Sequence, residues 1–382
     1  MLNQLDAIVI GAGIAGSSCA LELARQGHKT VLLDRQTFPR HKTCGEFMSP
    51  ETREMLDYLG VKPHSQGIMP TAMDKARIIL PYGGEIEVPL PGHAAGISRY
   101  TLDQLLHESA SKAGAEIVTD TVVTDIHKLD NDLYEVVTRQ GGKPIRYQAK
   151  AVIGAYGTKR PRGMSSSNSR EDEPVYVGVK SHYSGINVSS QVELYFCNGG
   201  YVGISTIENG LANAAAFLSL NAVQRLGKSV PEILEGASRT NTKLAERLAQ
   251  GTVISGTEVS VAPVRLSDRP EPWSEFPHIG DAMLVIPPLC GDGMSVALRS
   301  SLLCARSTDE YLKGRISCSE WKSQYTEEAR REFTQLLRRA RTIQKLAFAK
   351  VNRLYPGLVR LMPGLATYLA KATRLSETRL IR

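Results

Sequence analysis

Residues 41–52 read HKTCGEFMSPET and hold the side chains best suited to chemistry: a thiol at Cys44 and a carboxylate at Glu46, with Gly45 between them. A thiol can give up a proton and a carboxylate can take one, so Cys44 and Glu46 are the candidate catalytic residues. Gly45 lets the backbone come close to a ligand. Two plainer readings stand beside these: Cys44 as a small buried residue in a turn, and Glu46 as the acid of a helix start ahead of Ser49 and Pro50.

Such a triplet needs a scaffold, and the chain supplies one just upstream. Residues 6–34, DAIVIGAGIAGSSCALELARQGHKTVLLD, are an apolar run, a glycine loop, a helical stretch and a second apolar run ending in an acid. This is the pattern of a βαβ unit that binds a dinucleotide. Gly11 permits the tight turn, Gly13 lets the backbone approach a diphosphate and Gly16 allows close packing of helix on strand. The helix N-terminus then faces the anion. Asp34, eighteen residues beyond Gly16, is placed to accept hydrogen bonds from ribose hydroxyls. These residues alone leave NAD and FAD equally open.

Three later stretches carry a resemblance. HIGDAMLVIPPLCGDGMSVALRSS (278–301) reads as a strand ending in Gly280 and Asp281, then a loop with Pro287, Pro288, Gly291 and Gly293 that opens a helix. SRYTLDQLL from Ser98 has the spacing Arg-x-x-x-Asp, and VIGAYGTKR from Val152 is a strand and turn. With KTCGEFMSP, these resemble the flavoprotein hydroxylase, geranylgeranyl reductase and flavin halogenase superfamily. The resemblance implies FAD, with Asp281 on its ribityl chain and the helix after Gly293 aimed at the flavin pyrimidine. It also implies cofactor contacts from Gly11, Gly13, Ala15, Gly16, Asp34, Arg35, Cys44, Gly45, Arg99, Gly157, Pro288, Gly291, Gly293 and Met294. Cys44 would then lie by the reactive face of the ring, with Glu46 an acid or base near substrate. Tyr156 departs from the Asp of hydroxylases, and no second glycine fingerprint for NAD(P)H is visible, so NAD(P)H enters only as a transient electron donor.

The expected fold is α/β: a Rossmann-like FAD-binding domain of the glutathione-reductase type, an inserted, mainly antiparallel β substrate domain, and a C-terminal helical segment. The FAD domain is discontinuous, over 1–70, 93–170 and 276–328. The substrate domain takes 71–92 and 171–275, with Tyr195, Phe196, Tyr201 and Phe217 as candidate wall residues and 163–174 as a loop. The segment 329–382 is basic: from Arg330 onward thirteen lysines and arginines stand against Glu332 and Glu377, a local charge of +11 in a chain whose total is +7. The remainder is slightly acidic, which argues against nucleic acid. The tail reads as a helical cap, with peripheral membrane contact as the alternative. The six scattered cysteines show no metal or disulfide spacing, and no uncharged apolar run of about 18 residues or leader peptide is evident, so the expected location is cytoplasmic.

The resemblance implies an FAD-dependent oxidoreductase. The leading expectation is a monooxygenase that hydroxylates a bulky apolar or aromatic substrate through a flavin C4a-hydroperoxide. Saturation of an isoprenoid double bond is the alternative toward which the C-G-E segment tilts. A third is oxidative modification of a residue on a partner protein, as in maturation of quinone cofactors. An external reductase is open as the electron source.

Overall fold

The computed structural model describes residues 4–130, 132–161, 174–349, 353–361, 363–372 and 374–375. The chain starts with β1 (Leu5–Ile10), α1 (Ile14–Arg25) and β2 (Thr30–Leu33). The strands are apolar runs buried on both faces, as interior parallel strands must be, and they pair in parallel with Val9 beside Leu32. A short strand β3 (Phe47–Met48), helix α2 (Pro50–Tyr58) and the long hairpin β4 (Thr71–Ile79) and β5 (Glu85–Gly96) follow. Helix α3 (Arg99–Lys112), capped by the Ser98 hydroxyl, brings the chain back. Strands β6 (Glu116–Val118), β7 (Thr121–Lys128), β8 (Tyr134–Gln140) and β9 (Lys143–Gly154) then complete a six-stranded sheet in the order β6-β2-β1-β9-β8-β7.

The second sheet is built from β10 (Tyr176–Ser184), β11 (Gln191–Cys197), β12 (Gly200–Thr206) and β13 (Ala212–Ser219) together with β3, β4 and β5. Helices α4 (Leu220–Leu226), α5 (Val230–Ser238) and α6 (Thr242–Leu248) come next, and strands β14 (Thr252–Val253) and β15 (Val259–Val264) both pair with β10. Every pairing is antiparallel except β11 with β4. The two-residue period of a strand divides this sheet cleanly. Val202, Ile204 and Leu218 face Ile233 and Leu234 of α5, whereas Tyr201, Gly203 and Phe217 face a large cavity against the first sheet.

Helix α7 (Gly293–Leu312) lies against α1, and α8 (Cys318–Ala347) lies against α7. A Ser317–Glu320 capping box starts α8, and Trp321, Tyr325, Ala329, Phe333 and Leu336 form its buried stripe at helical spacing. The tail continues as α9 (Tyr355–Leu361) and α10 (Pro363–Ala372), both of which pack on β5. The strand expected before Gly280 is reduced to an isolated bridge from His278 to Gly154. Pro277 beside it has no amide to donate, which keeps a ladder from growing. The polar stretch 163–174 lies, apart from Pro174, outside the described residues.

Candidate active site

The glycine loop is built tightly. Gly11 has φ +105°, and a Cβ there would sit 2.4 Å from the Ala155 carbonyl oxygen; one on Gly16 would meet the Gly11 oxygen at 1.8 Å. Only glycine fits either position. Asp34, at the end of β2, accepts from the Ala12 amide at 2.7 Å and from the Gln36 amide at 2.9 Å, so its carboxylate both braces the loop and edges the cavity. His107 of α3 lies 2.8 Å from the Ala12 oxygen and ties the loop from the other side.

Gly13 differs, because a Cβ there would meet no backbone: its nearest neighbours are Arg99 Nη2 at 3.6 Å and Lys42 Nζ at 3.7 Å. Two cations, Arg99 buried and Lys42 half-buried, converging on an open loop amide at a helix N-terminus suit a diphosphate. Arg99 donates to both oxygens of Asp103 at 2.8 Å; burial pulls its guanidinium down, but that carboxylate more than restores it, holding it above the ordinary range. Lys42 is held below the ordinary lysine range by burial and by Arg99 beside it, a cost that a bound anion would relieve. Gly13→Ala should therefore keep the fold and thermal midpoint while weakening FAD binding by about tenfold or more, since the methyl group takes the space of close approach. Flavin titration of the apoprotein checks it.

The cavity has a volume of about 1140 Å³ and runs from this loop to the second sheet. Asp281, Pro288, Gly291, Gly293 and Met294 line it, as do Ala15, Arg35 and Gly157. Gly291, at φ +75°, leaves no room for a Cβ against the Phe47 ring. Asp292, the residue before α7, is fully buried; burial drives its carboxyl well above the usual range, although Arg374 Nη1 donates to it at 2.8 Å. That arginine comes from the far end of the tail and also lines the cavity. The apolar end is walled by Val192, Leu194, Tyr201, Phe217, Val261 and Leu289. Of the four aromatic wall candidates, Tyr201 and Phe217 are on this surface. Tyr195 turns away and donates to Glu193 at 2.6 Å, and Phe196 packs on Phe348.

Between the two ends lies the Cys44–Glu46 turn. The Cys44 carbonyl accepts from Asn213 Nδ2 at 3.0 Å, and its sulfur accepts from the Glu46 amide at 3.3 Å beside the Arg99 guanidinium. Glu46 is wholly buried at φ +53° and does not start a helix: Ser49 and Pro50 do that, with the strand β3 in between. Its carboxylate accepts from the Arg99 amide at 2.9 Å and from Lys180 Nζ at 3.0 Å, and lies 2.6 Å from His182 Nε2. Lys180 Nζ and His182 Nε2 are themselves 2.7 Å apart. One imidazole nitrogen cannot donate to the acid and accept from the amine with the same proton, so protons are shared among the three groups. Burial alone would raise Glu46, but the His182 hydrogen bond and the Lys180 charge hold it below the usual range. Burial lowers Lys180 against the pull of Glu46, and His41, 3.4 Å from Lys180, is lowered by burial and by that charge. His41 also reaches the cavity wall.

An FAD binding domain model matches residues 4–192. Menaquinone reductase of Mycobacterium tuberculosis is 26% identical over 324 residues, which cover 80% of this chain and 77% of that protein. Digeranylgeranylglycerophospholipid reductase 1 of Methanothermobacter thermautotrophicus is 26% identical over 329 residues, 80% of this chain and 77% of its own. The solved structure of the flavin-dependent brominase Bmp2 covers 97% of this chain and 93% of its own with a TM-score of 0.81 at 18% identity, a likeness of fold. The chain carries an FAD binding domain and is an FAD-dependent oxidoreductase. In this flavoprotein the site residues singled out from sequence line one cavity, except Gly16, which packs on the Gly11 carbonyl behind it. Lys42, Lys180, His182 and Arg374 are additions that only the fold reveals.

Proposed function

We propose that this flavoprotein saturates a carbon–carbon double bond in a bulky, largely apolar substrate. The observation that carries the reading is the Cys44 thiol at the junction between the dinucleotide end of the cavity and its apolar end. The names of both relatives, each aligned over about four-fifths of this chain, are those of reductases, which supports the same choice over hydroxylation. Saturation adds a hydride to one carbon and a proton to its neighbour. Bound reduced FAD supplies the hydride.

The chain's own residues handle the proton. The Cys44 sulfur accepts from the Glu46 amide and borders the cavity, where its thiol can donate. The thiolate left after transfer is stabilised by the Arg99 guanidinium and the same amide. The Glu46–His182–Lys180 group, two residues along the chain and linked to His41 on the wall, holds protons that can restore the thiol. The aromatic and aliphatic wall excludes water and orients the chain of the substrate.

The test is anaerobic. Photoreduced holoprotein is mixed with a prenylated quinone or a geranylgeranyl lipid, and both flavin reoxidation and product mass are followed. The expected product has gained two hydrogens without oxygen. A product that forms only with oxygen and has gained an oxygen atom would replace this reading with hydroxylation.

A further inference from the structure

The tail has two unlike sides. On its inner side Pro356 of α9 packs against Gly84, Arg353 lies over the Tyr82 ring at 5.3 Å, and Arg339 of α8 donates to the Ala372 carbonyl. Beyond α10, Arg374 holds Asp292 and Leu375 is buried in the core. The arm is therefore anchored at both ends. On its outer side Leu354, Leu358 and Leu361 recur at i, i+4 and i+7 with 71%, 41% and 83% of their surface exposed, and Tyr368 of α10 is 69% exposed. A helix stripe of that kind is normally buried. Arg338, Lys345 and Lys371 are exposed on the same run of helices, within the segment that carries +11.

This surface adjoins the apolar end of the cavity. The Phe348 ring, which follows α8, lies 5.2 Å from that of Phe196 and 6.4 Å from that of Tyr201, a cavity-wall residue. Ala347 packs into the cluster that holds Phe217 and Leu289.

We infer that the tail is a docking surface for an anionic lipid bilayer. The leucine stripe enters the interface, the flanking cations meet acidic headgroups, and the apolar end of the cavity is brought next to the acyl phase. Among the described residues no helix is long and apolar enough to cross a membrane, so the contact is peripheral. Lipid is favoured over an acidic protein because an apolar cavity beside the stripe has to be filled from an apolar phase. That last step rests on the function proposed above, whereas the exposed stripe and the charge do not.

Holoprotein is sedimented with vesicles of phosphatidylcholine alone or mixed with phosphatidylglycerol. Partition onto the mixed vesicles should be about tenfold or more above that onto the neutral ones, and should fall with added salt. Leu354→Ser/Leu358→Ser/Leu361→Ser should lower binding by about tenfold or more, with the visible flavin spectrum and thermal midpoint unchanged. Equal partition of wild type and variant, absence of binding to the mixed vesicles, or burial of the stripe in a dimer would overturn the proposal. The assay contains no substrate, so failure of binding with saturation intact sinks the docking surface alone. Binding without saturation sinks the function proposed above alone.

Discussion

Glu46→Ala should lower the folding stability of the holoprotein by about 3–5 kcal/mol, the usual cost of removing one partner from a buried charge group. The carboxylate has no exposure and faces Lys180, also fully buried, and His182, nearly so. Without it the ammonium stays in a low-dielectric site with only the His182 and His41 imidazoles within hydrogen-bond distance, and the Arg99 amide loses its acceptor. Glu46→Gln should cost less, because the amide oxygen still accepts from Arg99 and Lys180 can shed its proton. Glu46→Gln/Lys180→Met should be more stable than the sum of the single losses, since the double variant leaves no unpaired charge. Urea unfolding of wild type, Glu46→Ala, Glu46→Gln, Lys180→Met and the double variant measures these differences, and strict additivity would refute the coupling.

The same group sets an acid limit. The folded-state pKa of Glu46 is depressed, so between the ordinary glutamate value of about 4.3 and that lower value the unfolded chain binds the proton first. Its contribution is complete above the ordinary value and is lost as pH falls through the folded one. Glu46→Gln should remove that part of the slope of stability against pH. An unchanged slope would assign acid unfolding to other carboxylates.

The dinucleotide half of the site was legible because its signal is local. Gly11, Gly13, Gly16 and Asp34 lie within one βαβ unit, and Gly16 and Asp34 answer constraints set inside it, at the Gly11 oxygen and the Ala12 amide. Glu46 was legible as a chemical residue but not as a buried one, since its partners lie 134 and 136 positions away. The one trace of them is that Lys180 and His182, two ionisable residues at strand period, share a face of β10. Only the fold, which pairs that strand deep in the second sheet and brings it against the Cys44–Glu46 turn, makes them a site. Arg374 was less legible still. It is one of thirteen cations in the basic segment, and what distinguishes it is the buried Asp292 that it meets.

Cys44→Ala should reduce turnover by about 10²–10⁴-fold, the usual contribution of a positioned proton donor, while leaving KM and FAD content close to wild type. The two effects separate because different parts of the residue carry them. Asn213 holds the Cys44 carbonyl, and that contact survives truncation of the side chain. The thiol itself borders the cavity where the acceptor carbon would lie, and no nearby group replaces it directly: Glu46 is fully engaged by Arg99, Lys180 and His182. Cys44→Ser should fall between the two proteins, because a hydroxyl keeps the hydrogen-bonding geometry but gives up its proton far less readily. Arg99 cannot act in place of the thiol, since its guanidinium does not release a proton in the accessible range and serves instead to stabilise the charge left on sulfur. Anaerobic reoxidation of the reduced flavoprotein by substrate would show the loss directly. Turnover in Cys44→Ala equal to wild type, with flavin bound, would remove the thiol from the mechanism and with it the observation that favours saturation over hydroxylation.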